Sequence, residues 1–388
     1  MAADKMKPIR RVVTGNDAHG RSCVTWDSPT PNTEDGTDFT NAVANFWVWN
    51  DTPAPLSGEH DDANLPYDFP GPQLGGHLRA VQGRGKPADY DAATDIRLKP
   101  FHPPKERTLP KTWDRGGRNA YSSDMHKTET IDYAILLEGE RTLVLDDVEV
   151  TWKPGDIVVD VGAWHQWTSS GGDGIVLYDM MAAKFVDGNV GLAQGHDKIL
   201  VGDPARKLPP GVKPARRIVC ADREPWKSSL VSDGPTPDVR IDVARPGYAA
   251  QRMWVTDQKQ AKIVLETLHL PHSIEPPSGG SVLRVVTYPP DAVWQSKVGS
   301  QQVAAFFRDM GSPQASTYSA QAPHPYMQKL PSLDFVIVLE GEIVLVLDTQ
   351  EVHMKAGEIA IVRGNNHAWS NRSNHPAVVA VSSHGGSY

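Results

Sequence analysis

The feature that most constrains this 388-residue chain is an internal repeat with a spacing of 202 residues. Leu137-Glu138-Gly139-Glu140 recurs as Leu339-Glu340-Gly341-Glu342. The same offset runs without a gap from Met125/Met327 through Gly155/Gly357 and Gly162/Gly364 to His165/His367 and Trp167/Trp369. Between 125–169 and 327–371, 20 of 45 positions are identical, so one structural unit is present twice. A second matched stretch sets Pro8–Pro31 against Pro214–Pro237 at an offset of 206, with Arg10-Arg11-Val12-Val13 against Arg216-Arg217-Ile218-Val219. Two domains are expected, 1–207 and 208–388, joined through the Pro- and Gly-bearing stretch Gly202–Lys213. The change of offset predicts insertions, at Gly58–Gly76 in the first half and Phe306–Thr317 in the second, as surface loops or lids.

Within each unit the pattern is β. Arg141–Leu145 alternates and ends at Asp146-Asp147, Val148–Trp152 comes next, Lys153-Pro154-Gly155-Asp156 turns the chain, and Ile157–Val159 begins another strand. The second half repeats this in Ile343–Leu347, Val352–Met354, Ile359–Val362 and Val378–Val381. The 32 prolines and 33 glycines are scattered, which suits short strands and tight turns. An all-β sandwich or small barrel is expected for each half.

Charge and cysteine content narrow the function classes. The net charge is −8, with no basic block, which argues against a nucleic-acid partner or an anionic membrane surface. No apolar run approaches the roughly 20 residues of a membrane helix. The polar N-terminal residues do not read as a secretory leader. Two cysteines, Cys23 and Cys220, exclude a disulfide framework and a cysteine-built zinc site, so a cytoplasmic protein is expected.

At the repeated residues the chain resembles the cupin superfamily, and its duplication resembles a bicupin. The family's first motif, G-x5-H-x-H-x3/4-E-x6-G, aligns its histidines with His126 and Thr128, its Glu with Asp132 and its last Gly with Gly139. Its second motif supplies a G-x2-H element, met by Gly162-Ala163-Trp164-His165. In the second half the four ligand positions read Gln328, Leu330, Asp334 and His367. The resemblance implies two tandem jelly-roll (double-stranded β-helix) barrels, a metal-binding first barrel, a partly degenerate second one, a small-molecule substrate and homo-oligomers.

His126, Asp132 and His165 compose a 2-His-1-carboxylate set, which suits non-haem Fe(II), with Zn, Mn or Ni as alternatives. The leading reading is an iron dioxygenase cleaving a phenolic or diketone-type compound. The alternatives are a redox-neutral lyase, isomerase or decarboxylase and a non-catalytic binding bicupin. Thr128 shares a strand face with His126 and Asp132, and Trp164 and Trp167 flank His165, which makes these three the candidate substrate-binding residues. Glu129, if a bulge turns it inward, and His102, at a strand end matched to Tyr288, are the candidate acid/base groups. His324 is a possible substitute ligand in the second half, although Pro323 and Pro325 favour a loop there.

Overall fold

The computed structural model describes residues 5–36, 41–66, 69–108, 111–169, 171–186, 193 and 198–388. Two large sheets dominate, and their strand orders are superposable. One runs Lys227–Pro235, Arg216–Glu224, Ile157–Val161, Thr130–Glu138, Gly174–Phe185, Gly76–Gly83, Ala42–Trp49 and Asn32–Glu34. The other runs Ser22–Pro29, Arg10–Asn16, Ile359–Arg363, Ser332–Glu340, Ala377–Ser387, Ser281–Tyr288, Ala249–Thr256 and Asp238–Ile241. A three-stranded sheet faces each: Arg141–Val144 with Glu149–Trp152 and Gln166–Thr168, and Glu342–Leu347 with Glu351–Lys355 and His367–Ser370. This is the expected jelly-roll arrangement of two facing sheets.

The boundary at 207/208 separates the sequence repeats but not the sheets. The N-terminal hairpin of each half is exchanged. Arg10–Asn16 pairs in parallel with Ile359–Arg363 of the second half, and Arg216–Glu224 pairs in parallel with Ile157–Val161 of the first. The repeated Arg-Arg pair explains why both hairpins dock alike. Arg10 bridges Asp27 of its own hairpin and Glu358 of the other half; Arg216 bridges Asp233 and Asp156 in the same way. The second arginine of each pair is buried against a carboxylate of its own half, Arg11 on Asp61 and Arg217 on Glu266.

Strand alternation then sorts the side chains. Ile131, Tyr133 and Ile135 join Leu333, Phe335 and Ile337 in one core between the backs of the two large sheets. Ala134 and Leu136 face the first barrel's interior, and Val336 and Val338 face the second's. Asp132 falls on the interior face with Ala134.

Of the two expected insertions, Gly58–Gly76 is matched by a loop of similar length, whereas Phe306–Thr317 falls in a segment where the halves do differ. Trp49 pairs with Gly76 and Thr256 with Ser281, so the loops 50–75 and 257–280 are equivalents of similar length. The halves differ further along the chain. In the first, 84–124 forms the strands Phe101–Glu106 and Thr112–Gly116, which extend a sheet with His126–Thr128. In the second, 289–326 forms 3-10 turns and the helix Ser300–Asp309, whose Phe306 and Phe307 are buried in the barrel core. Among the described residues no helix is long and apolar enough to cross a membrane. Both cysteines are free, Cys220 buried and Cys23 half-buried.

Candidate functional site

The site is built on one backbone pairing. The N–H of His126 donates to the His165 carbonyl at 2.9 Å, and the N–H of His165 donates back to His126 at 2.9 Å. A reciprocal antiparallel pair places two side chains side by side, and here the imidazole centroids stand 4.3 Å apart. His126 Nδ1 donates to the Asp124 carbonyl at 2.7 Å and His165 Nδ1 to the Ala163 carbonyl at 2.9 Å. With Nδ1 protonated and held, each ring in its neutral form carries its lone pair on Nε2. This is the arrangement that outer-shell partners impose on metal-ligating histidines. Burial, reinforced by the neighbouring His165, holds His126 well below the usual imidazole range. His165 is also buried, but Asp160 Oδ2, 2.6 Å from its Nδ1, outweighs burial and raises it.

Asp132 lines the same cavity. Burial, then the nearby Asp160, pushes its carboxyl up to about 8, and its Oδ1 is buried without a hydrogen-bond partner. It does not complete the expected three-ligand cluster. Among the described residues no three His, Cys, Asp or Glu side chains are gathered to hold one ion. An Asp is one methylene shorter than the Glu of the family motif, and the Thr130 hydroxyl bonds to its carboxylate. The residues therefore fit a metal through two prepared imidazoles, with an orphaned carboxylate oxygen on the same cavity wall.

The cavity is about 330 Å3. Trp167 lines it, 5.2 Å from the His165 ring and 5.4 Å from Tyr178. The other two candidate substrate-binding residues are elsewhere. Thr128 bonds the Thr130 hydroxyl at 2.6 Å and is not on the cavity wall that His126 and Asp132 share. Trp164 points away from the cavity, under the Arg115 guanidinium at 4.9 Å and beside Trp226. Its backbone N–H donates to Asp222 of the exchanged hairpin, and Asp222 also pairs with buried Lys127. One carboxylate of the second repeat thus holds the segments of both His126 and His165.

Neither candidate acid/base residue reaches the cavity. Glu129 does sit at a break in the strand, but the break turns it outward. It accepts from the Phe185 N–H at 3.1 Å and pairs with Lys111 at 2.9 Å. His102 belongs to an edge strand and pairs with Asp114 at 3.0 Å. Its match to Tyr288 also fails, because the strand Gly76–Gly83 is the counterpart of Ser281–Tyr288 and sets Gly83 against Tyr288.

Sequence reasoning missed the arginines. Arg79, Arg84, Arg97, Arg107, Arg118 and Arg141 all line the cavity, against two carboxylates, Asp124 and Asp132. A net charge of −8 hides this local excess. One signal was available: the stretches Leu137–Leu145 and Leu339–Leu347 differ only at Arg141-Thr142 against Ile343-Val344.

The second barrel repeats the scaffold without the opening. Gln328 and His367 exchange the same two backbone bonds, at 2.8 and 2.9 Å. The Gln328 amide then lies 3.2 Å from His367 Nε2, on the nitrogen that is open in the first barrel. The cavity shrinks to about 40 Å3. Arg245 fills the space, 3.6 Å from the Tyr326 ring centroid, 4.0 Å from Tyr248 and 4.3 Å from Phe306, and is paired to Asp242 at 2.7 Å. His324 does not replace the missing ligand. It is packed against Trp294, and burial lowers it to about 3.

The paired imidazoles inside a jelly-roll barrel agree with the sequence relationships. Residues 323–383 match the family model for the cupin domain. Two curated relatives match short stretches of the chain. The phomopsin biosynthesis cluster protein D of Diaporthe leptostromiformis is 50% identical over 48 residues, 12% of this chain and 25% of that protein. The cupin-domain-containing oxidoreductase virC of Hypocrea virens is 38% identical over 60 residues, 15% of this chain and 31% of that protein. The matches thus span about a quarter to a third of those relatives. Among solved structures, quercetin 2,3-dioxygenase from Acinetobacter baumannii aligns over 92% of this chain and 84% of its own. The identity there is 12% and the TM-score 0.34.

Proposed function

We propose that the chain is a metal-dependent oxidoreductase working in its first barrel, with dioxygenase chemistry on a small phenolic or diketone-type compound as the leading reaction. The observation that carries the reading is the His126–His165 pair, with both Nδ1 atoms anchored on carbonyls and both rings on the wall of one open cavity. The similarity to a relative named as an oxidoreductase supports the same direction. His126 and His165 would hold a divalent metal, Fe(II) by preference, with Asp132 a carboxyl on the same cavity wall. Such an ion supplies Lewis-acid and redox chemistry to an oxygen-bearing substrate. The protein's own part is positioning. Trp167 and Tyr178 give an aromatic wall next to His165, their rings inclined at 58°, and the burial of both imidazoles limits bulk water at the reacting end.

A redox-neutral reading is favoured by one observation. Asp132, pushed up to about 8, is a protonated carboxyl on the cavity wall at neutral pH, and so a proton donor for an enolate-forming substrate. Oxygen dependence separates the two. Metal content of protein prepared without chelator, measured beside His126→Ala and His165→Ala, tests the site itself. Turnover of phenols and diketones in air and under nitrogen then tests the reaction. Metal retained in both variants would overturn the assignment.

A further inference from the structure

Arg141 is a charge that this fold leaves unmatched. It lies on the strand Arg141–Val144, on the interior face shared with Leu143, and lines the cavity. It is only 4% exposed. Its Nε is buried without a hydrogen-bond partner, and no carboxylate among the described residues lies within ion-pair distance. Three other deeply buried arginines are ion-paired, Arg11 with Asp61, Arg217 with Glu266 and Arg245 with Asp242, and Arg284, which has no ion pair, donates to the Ser383 hydroxyl. Burial accordingly lowers the Arg141 guanidinium from its ordinary value, with Tyr178 and Asp173 acting only at a distance to raise it. A guanidinium does not give up its proton in a protein, so among the described residues this one is a buried cation without a counter-ion.

The fold makes room for that cation. A Cβ built on Gly83 would collide with the Arg141 guanidinium. In the second barrel both positions change together: Ile343 stands for Arg141 and Tyr288 for Gly83, and that cavity is nearly closed. The wall of the first cavity is continuous from the imidazole pair through Trp167 to Tyr178, the ring that acts on Arg141.

From this we infer that the cavity takes a small organic oxyanion: a planar molecule whose carboxylate or phosphate sits on Arg141 and whose body lies along Trp167 and Tyr178 toward His126 and His165. The inference rests on and deepens the functional reading above, since it places the substrate's charged end in the same cavity. Arg141 binds the anion by its fork of N–H donors and fixes which end of the substrate faces the imidazoles.

The test uses the full chain, with Trp fluorescence and thermal unfolding as readouts and benzoate, phenyl phosphate and benzamide as probes. Benzamide keeps the ring and the shape of benzoate and lacks the charge. Benzoate or phenyl phosphate should bind at least about 10-fold more tightly than benzamide, and whichever binds better tells carboxylate from phosphate. Arg141→Ile, which imports the second barrel's residue, should abolish that preference without lowering the melting temperature, because it removes an uncompensated buried charge. Arg141→Lys should retain part of the preference, the charge being kept and the fork lost. Equal affinity for anions and amide, no anion binding at all, or an unchanged preference in Arg141→Ile would overturn the inference. Metal content read on the same preparations keeps the two proposals apart. Anion preference without metal would sink the oxidoreductase reading alone, and metal without anion preference would sink this one alone.

Discussion

The two barrels share a backbone and differ in what occupies it. In both, a residue at the start of the central strand exchanges two backbone bonds with the histidine of the G-x2-H element. In the first barrel that residue is His126, both imidazoles are left open toward a cavity, and the segment over the barrel is a β-hairpin. In the second it is Gln328, its amide covers His367 Nε2, and a helical segment with Arg245 in an aromatic cage fills the interior. A duplicated scaffold thus keeps its geometry, while a few side chains decide between a site and a core. Buried charge is divided in the same way. Arg245 is matched by Asp242 and three rings; Arg141 faces a cavity.

The largest effect that would break this comparison is metal loss from one barrel only. His126→Ala and His165→Ala should each empty the protein of metal, whereas His367→Ala should leave its content unchanged, as read by elemental analysis. Next in size is the cage. Asp242→Ala leaves Arg245 buried and unpaired and should cost about 3–5 kcal/mol in chemical denaturation. A cost within experimental error would mean that the cage does not hold the second barrel together. Gln328→His sharpens the comparison from the other side. It restores the imidazole pair on an intact scaffold, so the variant should gain metal without gaining turnover, because the small cavity stays filled. No gain of metal would show that an imidazole pair is insufficient even with Asp334 standing where the first barrel has Asp132. The smallest effects belong to Glu129→Gln and His102→Gln. Both residues sit in part-exposed ion pairs outside the cavity, so stability should move by no more than about 1 kcal/mol and turnover should stay level.

Much of the fold is legible in the sequence because the repeat is gapless where the barrel is most regular. The Gly and His positions of the motif depend on local turns, which sequence spacing records. The hairpin exchange is not legible, since pairing of Arg11 with Ile359 spans almost the whole chain and leaves no local trace. Thr128 and Glu129 mislead together. Thr128 is tied to the Thr130 hydroxyl and Glu129, at the break in the strand, to Lys111, so neither joins His126 and Asp132 on the cavity wall. Trp164 stands out because it is particular to the first half, but it serves the docking of the exchanged hairpin near Asp222. Arg141 carries the stronger asymmetry, a charge against Ile343 in a stretch that otherwise differs only at Thr142 against Val344. Its meaning depends on Gly83, a neighbour that only the three-dimensional structure reveals.

The central claim is that the first barrel alone carries the working site. The most direct measurement is metal per chain in the unaltered protein, His165→Ala and His367→Ala, prepared side by side without chelator. The expected result is metal equimolar with the chain in the first and last and none in His165→Ala. Metal that survives in His165→Ala and vanishes in His367→Ala would place the site in the second barrel and contradict the claim.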